Sequence, residues 1–365
     1  MIYYVIAVLI LFILITLALM MKNKKKNPIT IEADGQNLYL STEGESEARA
    51  ASLLPTVGSE NAQLLLGKLN LPEPENYKVD RDYLPDEITE WIIAVDFEKP
   101  TILTPDQIKE EFGKQWREKY GGLTIYGFDP QKRYWTFAHS ADGPETVSKL
   151  KFAWDYYSSW TDNELANEKK YAERIEGVRK STSKFGNPII ETSLAPLEAA
   201  KQSLMLNDIH NRLNIDAIIV LQAPPGQRFD GKEIWDVMLC LGLKWGNMDI
   251  FHWDNPSDIG DDPLFSVWTS TEPGYFFLEQ IAEGQVKVEN LIFGYSIPRS
   301  CRPDEIHDSM FRAAEYSQKR LGGDMLDGNE KVFIKEGLSE EIKEIVAELK
   351  IAGFEPGATS TLHLF

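Results

Sequence analysis

Two cysteines, Cys240 and Cys301, are the only thiols in 365 residues, and they stand in no CxxC spacing. Zinc ribbons and thioredoxin-type sites need paired thiols at close spacing, so both are excluded and the two residues read as reduced thiols. Basic charge is scarce: 38 Lys and Arg against 57 Asp and Glu leave a net charge of −19. Nucleic-acid binders neutralise phosphates with Lys and Arg, so no nucleic acid is expected as a partner. Tyr126, Phe251 and Trp268 supply the aromatics of an RNA-reading sheet, but the basic-aromatic run that goes with them is missing. Missing too are a phosphate-binding glycine loop, a GxSxG elbow and an HExxH helix. His139, His210, His307 and His363 are scattered, with no paired acid at motif spacing. One loop retains enzyme-like chemistry: Asp249, His252, Asp254, Asp258, Asp261 and Asp262 combine carboxylates and an imidazole suited to a hard cation. Adjacent acids between strands more commonly form a solvated loop. The chain is read as no enzyme, without a cofactor or a metal.

Long apolar runs are missing after the first twenty-odd residues. Ile2 to Met21 carries no charge, and at about 1.5 Å per residue it crosses a hydrocarbon core of roughly 30 Å. A signal peptide starts with a basic region and ends in a small-residue cleavage site. Here the basic charge follows the run, as Lys22, Lys24, Lys25 and Lys26. The expectation is a transmembrane signal anchor over 1–21, with the bulk of the chain held on the cytoplasmic side.

Residues 22–86 read as a basic juxtamembrane segment and then a polar linker broken by Pro55, Pro72, Pro74 and Pro85. Short apolar stretches around Leu53 and Leu64 to Leu71 predict marginal helices there. About 60 flexible residues reach roughly 40–50 Å root-mean-square.

The remainder predicts the same unit twice, over 87–213 and 214–365. Glu90 to Phe97 and Asp216 to Gln222 are β-prone apolar runs, each followed by a capped helix. In the first unit Thr104, Pro105 and Gln107 start it, and Ile108, Phe112, Trp116 and Tyr120 recur every fourth residue up to Gly121. In the second, Asp230 caps a helix that ends at Gly242. Strand-like pairs follow: Leu123–Asp129 with Met248–Asp254, and Tyr134–Ser140 with Leu264–Ser270. Leu150–Tyr156 and Leu291–Ser296 come next, then long helices over Thr161–Phe185 and Pro303–Leu321. Short strands near Ile189 and Met325 precede the closing helices Pro196–Leu213 and Ser339–Leu349. This β-α-β-β-β-α-β-α order implies an α+β fold of two split-βαβ modules, mainly antiparallel sheets with helices on one face.

Strand alternation then divides the residues between the two faces. With Ala217, Ile219 and Leu221 toward the helices, Asp216, Ile218 and Val220 face outward. Met248 and Ile250, Trp268 and Ser270, and Ile292 and Gly294 join them. In the first module the outward set is Glu90, Ile92, Ala94, Leu123, Ile125, Ala138, Ser140 and Lys151.

The stretch Gly242 to Trp253, GLKWGNMDIFHW, together with Pro263 to Gly274, PLFSVWTSTEPG, resembles the central strands of the ZipA C-terminal FtsZ-binding domain family. The resemblance covers roughly Ile215 to Lys350, with the first module as a degenerate copy. It implies a bacterial cell-division protein of the inner membrane, single-pass with a periplasmic N-terminus, acting at the division site. The partner it implies is the C-terminal tail of FtsZ, a helical peptide lying in a shallow apolar groove on the sheet. Carried over by motif, the contact positions are Ile218, Val220, Met248, Ile250, Trp268, Ser270, Ile292 and Gly294. Trp268 stands where the family has a small residue, Gly294 where it has a bulky one, and Glu272 where a basic rim residue is usual. Two other readings are an envelope scaffold for another division protein, also through the first module, and a metal-dependent enzyme using the Asp249–Asp262 loop.

Overall fold

The computed structural model describes residues 82–140, 143–157, 167–257, 259–261 and 263–365, and a few positions between 53 and 71. The expected anchor Ile2–Met21 lies outside them. No helix among the described residues is long and apolar enough to cross a membrane.

The first α+β module runs β1 (Glu90–Phe97), α1 (Pro105–Glu111), α2 (Lys114–Tyr120), β2 (Thr124–Asp129), β3 (Tyr134–Phe137), β4 (Lys149–Asp155), α3 (Glu168–Thr182), β5 (Pro188–Thr192) and α4 (Pro196–Leu213). Its sheet has the order β3-β2-β4-β1-β5, with every pair antiparallel. The predicted capping box closes as expected: the Thr104 hydroxyl accepts from the Gln107 N–H at 3.3 Å, and Gln107 Oε1 accepts from the Thr104 N–H at 2.9 Å. The single helix expected from Thr104 to Gly121 is nevertheless two. Gly113 takes an extended conformation, φ −74° and ψ −166°, which ends α1 and starts α2.

The second module runs β6 (Asp216–Gln222), β7 (Phe229–Asp230), α5 (Gly231–Cys240), β8 (Lys244–Trp245), β9 (Phe251–Trp253), β10 (Phe265–Trp268), α6 (Leu278–Ala282), β11 (Lys287–Val288), β12 (Asn290–Ser296), α7 (Pro303–Leu321), β13 (Asp324–Asp327), α8 (Lys335–Ile351) and α9 (Thr359–Leu364). Six strands form its main sheet, in the order β13-β6-β12-β10-β9-β8. Both sheets therefore share a three-strand centre, β5-β1-β4 in one and β13-β6-β12 in the other. They differ beyond it: β2 lies next to β4 with β3 at the edge, whereas β10, the later strand of its pair, lies next to β12 with β9 outside.

Each module buries one sheet face under its helices. Trp91, Ile93, Val95, Phe152 and Trp154 do this in the first, and Ile219, Leu221, Phe251, Val267, Leu291 and Phe293 in the second. One buried cluster runs through both modules. Between them, Arg212 at the end of α4 pairs with Glu348 of α8 at 2.7 Å. Tyr157 Oη and His210 Nδ1 lie 3.1 Å apart, and the His210 ring stacks on Phe365 at 5.6 Å.

Two linker expectations change. Leu54 and Leu66 are buried in the core, and Leu69 and Leu71 pack against it. The Leu66 carbonyl accepts from Ser309 Oγ at 2.8 Å, and Glu305 of α7 accepts from the Asn70 N–H at 3.0 Å. Leu54, Leu66, Leu69, Asn70 and Leu71 thus contribute to the folded unit where the composition suggested marginal helices in a tether. The first module also starts before residue 87: the Tyr83 N–H donates to the Trp135 carbonyl at 2.9 Å, and the Trp135 N–H to Asp82 Oδ1 at 2.7 Å.

Candidate functional site

On β6 the alternation holds as expected. Ala217, Ile219 and Leu221 are fully buried toward the helices, and Ile218 and Val220 point to the other face, half-buried. Register then carries that face across the sheet. Trp268 pairs with Ile292, Ile292 with Val220, Val220 with Leu326, and Leu326 with Val332 in the return strand of an edge hairpin. Residues directly opposite each other in a ladder project from the same face about 5 Å apart. Five apolar side chains thus form a continuous row across four adjacent strands and the residue bridged to the edge strand. Among the described residues none of the five belongs to the buried core cluster or packs against it, and Val332 is 78% exposed.

Beside this row runs a smaller and more polar one, Lys244, His252, Ser266, Gly294 and Ile218. Gly294 and Trp268 complement each other there. A Cβ at Gly294 would lie 2.6 Å from Trp268 Cη2, so the indole leans diagonally across the space that a side chain at 294 would fill. The indole itself thus fills the floor of the face. His252 is central to this second row, with Nδ1 2.9 Å from Ser266 Oγ and Nε2 2.7 Å from the Asn247 carbonyl.

Met248 and Ile250 are placed differently from the expectation. The strand predicted over Met248–Asp254 is only Phe251–Trp253. Asn247–Asp249 form a single 3-10 turn, with Met248 at φ 63° and Asp249 at φ 58°, the left-handed region that non-glycine residues seldom occupy. Alternation does not apply across such a turn, so Met248 and Ile250 are not successive members of a strand face. Met248 stands 74% exposed on a turn tied to the sheet through His252. Ser270 lies just past β10 and is pinned by Asn290, which donates to its hydroxyl at 2.7 Å and accepts from its N–H at 3.0 Å. Of the eight expected positions, Ile218, Val220, Trp268, Ile292 and Gly294 come together on one face, Ser270 sits at its border, and Met248 and Ile250 flank it. Leu326, Val332, Ser266 and His252 were missed. Alternation outward from Met325 points to Leu326, but Val332 is joined to the row only by a hairpin pairing that local pattern does not encode.

Charge is kept to the rim. Lys244 pairs with Asp254 at 2.7 Å, Arg228 with Glu289 at 2.6 Å, and burial pushes the Asp216 carboxyl up at the start of β6. Two carboxylates of the acidic loop are engaged internally: Asp254 by Lys244, and Asp261, which accepts from Arg299 at 2.5 and 2.6 Å. Among the described residues no group of three His, Cys, Asp or Glu side chains is placed to hold a metal ion.

The first module's outer face is closed by contrast. Ile92, Tyr126 and Ala153 form a small buried cluster with Trp135 packed on it. Lys151 Nζ lies 5.0 Å from the centre of the Trp135 ring. Tyr126 meets Phe137 at 5.4 Å, and Phe137 meets Tyr83 at the same distance. The outward set expected here is corrected on β2 and β3. Ile125 and Ala138 face the core, because Gly127 lets Val147 approach the core side of β2, where a Cβ would be 2.8 Å away. Tyr126 and Phe128 take the outer face instead.

The family described as ZipA, C-terminal FtsZ-binding domain, matches residues 217–344. The cell division protein ZipA of Ectopseudomonas mendocina (strain ymp) is 28% identical over 160 residues, 44% of this chain and 56% of the relative. That of Pseudomonas syringae pv. tomato is 29% identical over 118 residues, 32% and 40% of the two chains. That of Stutzerimonas stutzeri (strain A1501) is 22% identical over 244 residues, 63% and 87%. The chain thus spans only about half the length of the first two. Residues 217–344, the stretch that matches the ZipA C-terminal FtsZ-binding domain family, hold all five side chains of the open apolar row.

Proposed function

We propose that the second module captures the C-terminal peptide of FtsZ on its open sheet face, and that the chain, anchored in the inner membrane by Ile2–Met21, tethers division filaments there. The observation that carries this reading is the registered row Trp268, Ile292, Val220, Leu326 and Val332, which has no cover among the described residues. An uncovered contiguous apolar strip on a sheet marks a partner surface, and an amphipathic helix lays its apolar side into such a groove at helical spacing. Met248, exposed beside the face on an unbranched and polarizable side chain, suits the wall of that groove. The affinity comes from apolar burial, since charge on this module stays at the rim, and added salt has little effect.

The two modules are read as copies of one unit, with the first kept as a structural partner of the second. Titrating a labelled FtsZ C-terminal peptide with the full chain in neutral detergent tests the function. Saturable binding lost in Val220→Asp and Ile292→Asp is expected. Binding that is absent, or that ignores both substitutions, rejects it.

A further inference from the structure

The helices of the first module hold a second site, unrelated to the open sheet. Between α2 and α3 lies a cleft of about 580 Å³, within the roughly 300–1,000 Å³ of small-molecule pockets. Its lining includes Lys114, Lys119, Lys180 and Lys184 together with Trp116 and Tyr120. This is an unusual concentration of cations in a chain with a net charge of −19. Two carboxylates also border it. Glu111 is already bound by Lys184 at 2.6 Å, and Lys114 lies 3.8 Å from Glu118 on its own helix, which leaves Glu110 opposing Lys119 and Lys180.

A buried charge adds to them. Arg174 on α3 is only 6% exposed. Its guanidinium lies between the rings of Trp154 and Tyr171, at 5.1 and 5.2 Å, and its Nε donates to the Tyr120 carbonyl at 3.0 Å. Among the described residues no carboxylate pairs with it, and its Nη1 has no hydrogen-bond partner. Burial pulls this guanidinium down to about 10, so it stays charged at neutral pH. An unpaired buried cation is costly by itself and acts over longer range than a surface charge, because little water screens it. It stands one turn before Gly177, which lines the cleft, and its acceptor Tyr120 lines the cleft too. Gly177 is what brings the helices this close: a Cβ there would be 2.5 Å from Tyr120 Cζ.

We propose that the α2–α3 cleft binds a phosphate-bearing anion. Lys114, Lys119 and Lys180 contact the phosphate oxygens, the Arg174 field supports them from below, and Trp116 and Tyr120 pack the ligand's carbon skeleton. A soluble phosphate ester and an anionic lipid headgroup present the same chemistry.

Lysine acylation of the full chain, read residue by residue by mass spectrometry, tests the site and separates the two sources. One arm adds millimolar inorganic phosphate to the protein in neutral detergent at constant ionic strength. The other compares protein reconstituted in phosphatidylcholine vesicles with and without phosphatidylglycerol. Acylation of Lys119 and Lys180 is expected to slow about threefold or more, as a mostly occupied site would give, while Lys201 and Lys350 stay unchanged. Protection by free phosphate assigns a soluble ligand, and protection by phosphatidylglycerol alone assigns the lipid. The surface variant K119Q/K180Q, folded by circular dichroism, is expected to lose protection at Lys114. Unchanged rates at Lys119 and Lys180 in both arms, uniform slowing at every lysine, or full protection of Lys114 in the variant would overturn the proposal.

Discussion

The two sheets are built on the same three-strand centre and differ in what their outer faces do. In the first module Ile92, Tyr126 and Ala153 are buried beneath Trp135 and Lys151. In the second the equivalent face leaves Ile218, Val220 and Ile292 half-exposed, with no element laid over them among the described residues. A sheet face covered by its own aromatics contributes to stability, and one left open is available to a partner. The difference lies in the outer strands. Placing β2 next to β4 sets Tyr126 and Phe128 beside Lys151 and Lys149, whereas placing β10 next to β12 sets Trp268 and Ser266 beside Ile292 and Gly294.

The widest separation between the faces is expected from a charge placed in each. Val220→Asp on the open face is expected to weaken peptide binding at least 30-fold, about 2 kcal/mol or more, as at an interface hot spot. It leaves the thermal midpoint nearly unchanged. Ile92→Asp on the closed face is expected to do the reverse, destabilising the chain by about 3 kcal/mol for a charge buried without a partner, with peptide affinity kept in the folded fraction. Calorimetry and a binding titration on both variants check this. Equal effects of the two substitutions on binding would break the comparison.

The largest pH dependence belongs to the closed face. Burial pushes the Glu90 carboxyl up to about 7, with the charges of Asp155, directly opposite on β4, and Asp86 adding to it. A raised carboxyl favours its protonated form in the folded state. Its contribution is therefore complete below the ordinary value near 4.5 and is lost as pH rises through about 7. Stability should fall between pH 5 and pH 8 by on the order of 2 kcal/mol, and Glu90→Gln should flatten that slope. Denaturant melts at the two pH values decide it, and an unchanged slope in the variant contradicts the assignment.

The smallest effect concerns the filled floor of the open face. Gly294→Ala places a methyl against the Trp268 ring and is expected to cost about 1–2 kcal/mol in stability or peptide affinity. The cost should largely disappear in a Trp268→Ala background, where the methyl has room. Additive effects in that double-mutant cycle would mean that the two residues do not share the space.

Much of this contrast was legible in the chain. The alternation gave the correct face for Ala217 through Leu221 of β6, because that strand pairs without interruption on both sides. Thr104, Asp230 and Gly121 marked helix ends through side-chain and backbone chemistry that acts within one turn. What escaped depended on distant contacts or rare conformations. The left-handed pair Met248 and Asp249 breaks the strand phase with no glycine to announce it. Leu66 looked like part of an isolated apolar spot in a polar tether, and Ser309 of α7, which donates to its carbonyl, is 243 residues away. The phase of β2 was misread because Gly127 matters only through Val147, which approaches it from another part of the fold.

The central claim is that one face, the open one, takes the peptide. Backbone and methyl NMR of the full chain in detergent, titrated with the FtsZ C-terminal peptide, tests it directly. Shifts concentrated at Ile218, Val220, Ile292, Leu326 and the Trp268 indole, with Ile92 and Tyr126 unmoved, are the predicted result. Shifts centred on the first module, or none on the Trp268–Val332 row, would contradict it.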